Sequence, residues 1–296
     1  EAVEVMNALG VINGMPDGSF NPSGNVTRAE MAKMISIIML GDIDADAFKG
    51  TVTDLTDING HWAEGFIKYC YSQGVIAGRG DGTFAPNANV TAVEAAKMLL
   101  VAIGYNSDVQ GYVGSDWTIN VIRDAQLSKF FDDLSVTSTK VLTRDEAAQM
   151  IYNAVNAKTI KKSSSVDRLT GKVTDIYEAT DDDLLKKTFG AKKEITYLTG
   201  ISFNSDNSKF TYSFDSDAKM GAPVAAADAY DDVALSTTND YSSLFGQKVS
   251  VVYKVEGSKR TVYGIYAEGT VLASGVLGYI TDTDGNALIA TDTDTE

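Results

Sequence analysis

The sequence predicts an α + β chain of more than one domain: a helical first half of repeated units, then a mainly antiparallel β barrel or sandwich. Three observations carry this reading. The run Gly-Val-Ile-Asn-Gly-Met-Pro-Asp-Gly-Ser-Phe from Gly10 to Phe20 returns from Gly74 to Phe84 as Gly-Val-Ile-Ala-Gly-Arg-Gly-Asp-Gly-Thr-Phe. Thr27-Arg28-Ala29-Glu30 recurs at the same 64-residue offset as Thr91-Ala92-Val93-Glu94, and again as Thr143-Arg144-Asp145-Glu146. After Ala157 the apolar spacing changes from helical to alternating. Repetition of ordered words at a fixed offset means that one supersecondary unit is used several times.

Each unit has a local rationale. In the second copy a helix is expected from His61 to Tyr71, with Trp62, Phe66, Ile67 and Cys70 on one inward stripe. Gly74 stops it, as glycine does just beyond a helix C-terminus. The pair Asp81-Gly82, matched by Asp17-Gly18 in the first copy, makes a tight turn. A second helix follows, opened by Thr-x-x-Glu. In this capping box the threonine and the glutamate satisfy each other's free backbone N–H groups. Thr27 with Glu30, Thr91 with Glu94 and Thr143 with Glu146 are therefore structural residues. The buried faces are Met31, Met34, Ile35 and Ile38; Ala95, Met98, Leu99 and Ala102; and Ala147, Met150, Ile151 and Ala154, at the same spacing each time.

The copies span about 1–41, 54–104 and 112–157, and they are unequal. The first starts inside its first helix, with Val3 aligned to Ile67, so the chain is expected to be a piece of a longer protein. The second is complete but has Ala92 in place of arginine. The third keeps Trp117 and its capping box, but the run from Asp132 to Thr137 replaces the glycine turn.

The Asp57…His61-Trp62-Ala63 opening, the Gly-Val-Ile-x-Gly…Asp-Gly-x-Phe-x-Pro centre (to Pro22 and Pro86) and the Thr-Arg-Ala-Glu close resemble the S-layer homology (SLH) domain of bacterial cell-surface proteins. The resemblance covers about 1–157, roughly half the chain, and several motifs in order are more specific than any one alone. It implies three units packed around a pseudo-threefold axis, with grooves that hold an anionic secondary cell-wall polysaccharide, often pyruvylated. It also implies an extracellular location at the cell wall or in a surface layer.

Within that frame Arg28 and Arg144 are the sharpest ligand candidates. The capping box uses threonine and glutamate, and the second copy keeps both without the arginine, so folding is not expected to need it. A guanidinium binds a planar carboxylate through two parallel hydrogen bonds. Trp62 and Trp117 are read first as inward-facing core residues and second as stacking surfaces for sugar, since an indole edge can stay exposed. Asp17 and Asp81 are turn residues first and acceptors for sugar hydroxyls second.

Composition narrows the alternatives. A formal charge of −15 over 296 residues argues against nucleic acid and against a general pull toward anionic lipid. No run is long enough to insert in a membrane as a helix. The single cysteine, Cys70, occupies an inward helix position and reads as a small buried apolar residue. His61 is the lone histidine, placed where a polar residue caps a helix, with no second histidine for a metal pair or a proton relay. Arg79-Gly80-Asp81 falls where the repeat needs its turn. No nucleophile-and-base set, zinc spacing or phosphate loop is present. No cofactor or metal is implied; 282–286 superficially resembles part of a calcium loop but reads as a hairpin turn.

Residues 158–165 are polar and are read as a linker. Beyond it, in a β-rich domain over 166–296, short alternating runs begin near Gly171, Lys209, Gln247 and Thr261, and 255–259 joins two of them as a hairpin. Helical turns are expected from Asp183 to Phe189, closed by Gly190, and from Tyr241 to Phe245. A further hairpin, 271–281 with 287–291, opens a second β unit near 270. The strand from Val249 to Tyr253 is expected to leave an edge open, and self-association in a surface array is expected to depend on residues after Val166. The reading is a non-catalytic, wall-anchored surface protein. Its alternatives are an anchored extracellular enzyme whose catalytic domain lies outside this sequence, and repeats used as protein–protein contacts in a lattice or filament.

Overall fold

Capped amphipathic helices come first in the chain. In order they are α1 (Ala2–Ala8), α2 (Arg28–Leu40), α3 (Glu64–Ser72), α4 (Ala92–Ala102), α5 (Trp117–Leu127) and α6 (Arg144–Val155). A hairpin of β1 (Lys158–Val166) and β2 (Val173–Asp183) and a short α7 (Leu184–Phe189) follow. The computed structural model describes residues 1–15, 18–216, 234–257, 259–269, 277–281 and 287–291. The chain divides into two units: 1–193 with 252–264, and 194–251 with 265–296.

In the first unit, Glu30, Glu94 and Glu146 accept from the backbone N–H of Thr27, Thr91 and Thr143 at 2.8, 2.9 and 3.0 Å. Thr27 and Thr143 Oγ1 accept in return from Glu30 and Glu146 N–H. These reciprocal bonds satisfy donors that a helix start leaves free. The apolar faces named from spacing, Met31 to Ile38, Ala95 to Ala102 and Ala147 to Ala154, lie in the core. Between elements the packing is cyclic: α2 lies on α3, α4 on α5, and α6 returns to α1. The segments before the caps interlock in the same sense. Val26 N–H donates to Leu142, Leu142 N–H to Val90, and Val90 N–H to Val26, at 3.0, 3.1 and 2.9 Å. One step outward, Arg28 donates to Ala88, Ala92 to Lys140 and Arg144 to Gly24.

Four expectations are corrected here. The segment read as a linker, 158–165, is strand β1, paired antiparallel with β2 from Ile160↔Ala179 to Val166↔Val173. Polar composition misled, because a two-stranded hairpin facing solvent needs no apolar face along most of its length. Its base is tied to the helices: Ile160 N–H donates to Ile103 O at 2.7 Å, and a Cβ on Gly104, at φ 111°, would stand 2.2 Å from Ile160 O. Next, α3 starts at Glu64, so Trp62 lies in the preceding turn and is 54 % exposed rather than inward. Third, the described strands close no barrel and form no sandwich. Strands β3 (Ala191–Asn204), β4 (Lys209–Ser216), β5 (Leu235–Thr237), β6 (Lys248–Glu256) and β7 (Lys259–Ala267) make one open sheet in the order β5-β4-β3-β6-β7. Fourth, Val249 to Tyr253 do not alternate or form an edge: β6 lies between β3 and β7 and all five residues are buried.

The remaining β features follow the sequence more closely. Asp183 caps α7 through Lys186 N–H, and Gly190 closes it in the left-handed region at φ 63°. A 3₁₀ turn spans Ser242–Leu244. Tyr212 hydroxyl donates to Asn239 O and accepts from Tyr241 N–H, pinning that turn to β4. Strands β8 (Leu277–Thr281) and β9 (Ala287–Thr291) pair antiparallel, and the turn 282–286 between them lies outside the described residues. No helix among the described residues is long and apolar enough to cross a membrane.

Candidate functional site

The first unit carries two related grooves. Groove 1, about 260 Å³, is lined by Val11 to Met15, Val26, Glu30, Lys33, Met34, Trp62 and Arg144. Groove 2, about 330 Å³, is lined by Val75 to Arg79, Glu94, Lys97, Met98, Trp117 and Arg28. Both have the same plan. The Gly-Val-Ile-x-Gly strip and the second helix of one copy make the floor and one wall. The tryptophan comes from the next copy, and the arginine arrives from another. An apolar floor with a few convergent polar groups is the usual make-up of a ligand site.

The arginines reach their grooves by the same route. Each sits at the first position of a capped helix. Arg28 Nε donates to Phe84 O at 2.9 Å with its guanidinium 4.6 Å from the Phe84 ring centre. Arg144 Nε donates to Phe20 O at 2.8 Å with its guanidinium 5.0 Å from the Phe20 ring. The phenylalanine of Asp-Gly-x-Phe is thus the platform on which the arginine of another copy lies, a cation–π contact.

From there the two sites diverge. Arg28 is only 8 % exposed and its Nη1 is paired with Glu94 at 2.9 Å. Burial draws its guanidinium below the ordinary value, and Glu94 opposes that shift. Arg144 is half-buried and its Nη2 donates to Asn13 O at 2.7 Å, with no carboxylate partner among the described residues. The side chain of Lys33, beside it in groove 1, makes no hydrogen bond or ion pair among the described residues. Its counterpart Lys97 donates to Tyr112 O at 2.7 Å and lies 5.5 Å over the Trp117 ring. Burial lowers the Lys97 ammonium from its ordinary value, with Asp108 opposing. Groove 1 therefore offers two cations that form no ion pair among the described residues, with Glu30 on the same lining, whereas the arginine of groove 2 is paired with Glu94.

Several of the residues singled out from the sequence occupy these places and others do not; the arginine premise changes most. Arg28 and Arg144 each tie two copies together through Phe84 O and Phe20 O, a structural contact that the capping-box argument did not include. Trp62 and Trp117 line grooves, Trp117 half-buried, instead of filling the core. Asp81 turns its carboxylate onto Thr83 N–H and Oγ1 at 2.9 and 2.6 Å and lines neither groove. Asp17 lies outside the described residues. Sequence reasoning missed Lys33 and Lys97. The signal was there: each follows its capping glutamate by three residues at the 64-residue offset, and Gln149 stands at that place in the third copy.

Cys70 is fully buried against Ser36 and Ala32, and burial pushes its thiol up to about 12. His61 Nδ1 accepts from Ala63 N–H, a capping arrangement. Among the described residues no cluster of histidine, cysteine and carboxylates is arranged to hold a metal.

Comparison with known proteins bears on this geometry. The S-layer homology domain model matches residues 1–32 and 54–96. "S-layer protein sap" of Bacillus anthracis is 27 % identical over 247 residues, 73 % of this chain and 29 % of that protein. "Cell surface glycoprotein 1" of Acetivibrio thermocellus is 41 % identical over 90 residues, 30 % of this chain and 4 % of that protein. "Exoglucanase XynX" of the same species is 31 % identical over 166 residues, 51 % of this chain and 15 % of that protein. The chain thus spans less than a third of each of these relatives. Its two matched segments, which resemble the S-layer homology domain of cell-surface proteins, contribute most of both grooves.

Proposed function

We propose that the helical unit anchors the chain non-covalently to an anionic cell-wall polysaccharide, and that groove 1 is its principal binding site. The observation that carries this is the pair of cations, Lys33 and Arg144, neither in an ion pair among the described residues, beside the exposed Trp62 in one apolar-floored groove. Carboxylate-bearing sugar units, pyruvyl ketals among them, suit this set: a bidentate partner for the guanidinium, a point charge from the ammonium, and an indole face for the ring. On a chain of net charge −15, attraction to an anion has to come from such placed cations.

In this reading the three copies are SLH units around a pseudo-threefold axis. The cyclic bonds among Val26, Leu142 and Val90 and the return of α6 to α1 support it. The third groove position is degraded: Ala92 replaces the arginine and is fully buried. The chain works without a cofactor and without catalysis of its own, as a structural surface protein; the lack of a nucleophile-and-base set in the sequence supports this. The second reading, an anchor for an enzyme domain elsewhere in a longer protein, is favoured by the likeness to an exoglucanase.

Co-sedimentation with purified cell wall, and with its released polymer, tests the proposal. The chain is expected to bind, and the double variant Lys33→Gln, Arg144→Gln to bind at least tenfold more weakly. Unchanged binding by that variant removes groove 1 from the reading.

A further inference from the structure

Asn13 and Gly14 stand side by side on the lining of groove 1. An asparagine followed by glycine is a reactive pair. The glycine nitrogen can attack the side-chain amide, because glycine has no Cβ to stand in the way. The chain has two such pairs, Asn13-Gly14 and Asn59-Gly60, and both asparagines are exposed. They differ at the attacking nitrogen. Gly60 N–H donates to Glu64 Oε2 at 2.9 Å, and Gly60 is held at φ 74°. Gly14 N–H and the Asn13 side chain make no hydrogen bond among the described residues. In the second copy Ala77 stands at the place of Asn13, so groove 2 has no such pair.

We propose that Asn13 is a site of spontaneous deamidation whose product closes groove 1 to anions; the consequence rests on the reading of groove 1 as an anion site. Gly14 N gives up its proton and bonds to Asn13 Cγ. The Cγ–Nδ2 bond breaks, and ammonia leaves with that proton, closing a cyclic imide. Water then opens the ring at either carbonyl and leaves aspartate or isoaspartate at position 13. No oxidant or cofactor takes part. The new carboxylate belongs to the residue whose carbonyl oxygen already accepts from Arg144 Nη2 at 2.7 Å. In isoaspartate that same main-chain carbonyl becomes the carboxylate. Either product gives Arg144 the kind of partner that Glu94 gives Arg28 in groove 2. It also sets a fixed negative charge against an incoming anion. Groove 1 thus ages toward the paired state of groove 2, and the chain loses its hold on an anionic polymer with time.

Peptide mapping of the 296-residue chain, incubated at neutral and mildly alkaline pH, reads the chemistry without any wall polymer. Its outcome is therefore separate from that of the anchoring proposal. Conversion at Asn13 is expected to run about tenfold or more faster than at Asn59, because the Gly60 bond to a carboxylate must break before attack. Conversion no faster than at Asn59 overturns the proposal. Co-sedimentation with released wall polymer reads the consequence. The incubated parent and fresh Asn13→Asp are both expected to bind about tenfold or more weakly than fresh parent. Asn13→Gln should keep its own starting affinity through the same incubation. An Asn13→Asp variant that binds polymer like the parent overturns the proposal. If fresh parent does not bind, the anchoring proposal fails and the pairing is read from melting at low salt. Asn13→Asp should then shift the melting temperature in the parent but not in the Arg144→Gln background. Equal shifts in both backgrounds overturn the proposal.

Discussion

Arg28 and Arg144 occupy the same place in the same tetrapeptide, yet Glu94 pairs with the first and leaves the second to solvent and to groove 1. Their substitutions should therefore separate stability from binding. Arg28→Ala removes a buried bond to Phe84 O and strands Glu94. It is expected to cost about 1–3 kcal/mol of stability, read as a lower melting temperature, while polymer binding in groove 1 persists. Arg144→Gln should reverse the balance, with a smaller change in melting and a loss of polymer affinity of about tenfold or more, steeper at low salt. Equal effects of the two variants on both readouts would sink the distinction. Ala92→Arg is not expected to rebuild a site, because the third copy has Val136 where the other two have Phe20 and Phe84, so the ring on which the guanidinium lies is missing. Cys70 gives a control on fold integrity. Buried, and with its thiol pushed up to about 12, it should resist alkylation at pH 8 until the chain is unfolded. Rapid labelling of the native protein would show that the α2–α3 contact is open.

Among the elements, helix starts and the Asp-Gly turns carry the testable local energetics. Thr143→Ala removes the acceptor for Glu146 N–H and should cost about 0.5–2 kcal/mol, measurable by chemical denaturation. The second-copy turn depends on Asp57, whose carboxylate accepts from Phe84 and Ala85 N–H at 2.8 and 2.7 Å. Those bonds hold Ala85 in the left-handed region at φ 58°, which a Cβ disfavours. Partial burial would raise the Asp57 pKa, but the two backbone bonds outweigh it and the net direction is downward. A depressed carboxylate contributes stability above its unfolded pKa and loses that contribution as pH falls through its folded pKa. Asp57→Asn should therefore melt below the parent at neutral pH, with the gap narrowing in acid below about pH 4. A gap independent of pH would mean the charge is not what holds the turn. The capping boxes and helix faces were legible in the sequence because they depend on neighbours three and four residues away. The first strand of the hairpin was not. The run from Gly171 alternates and reads as a strand, but β1 is polar along most of its length, so nothing in its spacing distinguishes it from a linker; its pairing with β2 and the Gly104–Ile160 approach make it a strand.

For the whole molecule, α6 packs against α1, and under the proposed three-unit arrangement the helical unit is a closed ring rather than an open stack of repeats. Open repeat arrays lose their units piecemeal; a ring has no free end from which to fray. Met6→Ala, in the fully buried face of α1, should cost about 2–5 kcal/mol. Hydrogen exchange should quicken across α2 to α6 together, not in α1 and α6 alone. Protection retained in α4 and α5 would argue that the copies fold independently. The same closure explains why two good grooves can exist in a chain of unequal copies. Each groove draws its arginine and its tryptophan from copies other than its floor, so a defect in one copy is felt in another's site.

The sequence by itself determined the helical units, their caps and turns, the switch to β structure and the likeness of 1–32 and 54–96 to the SLH domain, because all of these rest on local spacing and on words repeated in order. It also put both arginines and both tryptophans among the candidate residues. Tertiary structure alone decided what those residues face. Arg28 is neutralised by a carboxylate 66 positions away and Arg144 is not; Trp62 opens onto a groove; Lys33 joins Arg144 from 111 positions away in the chain. The physical reason is that charge compensation and burial are properties of what packs around a side chain. Here that surrounding comes from other copies, through a cyclic arrangement that no single repeat encodes.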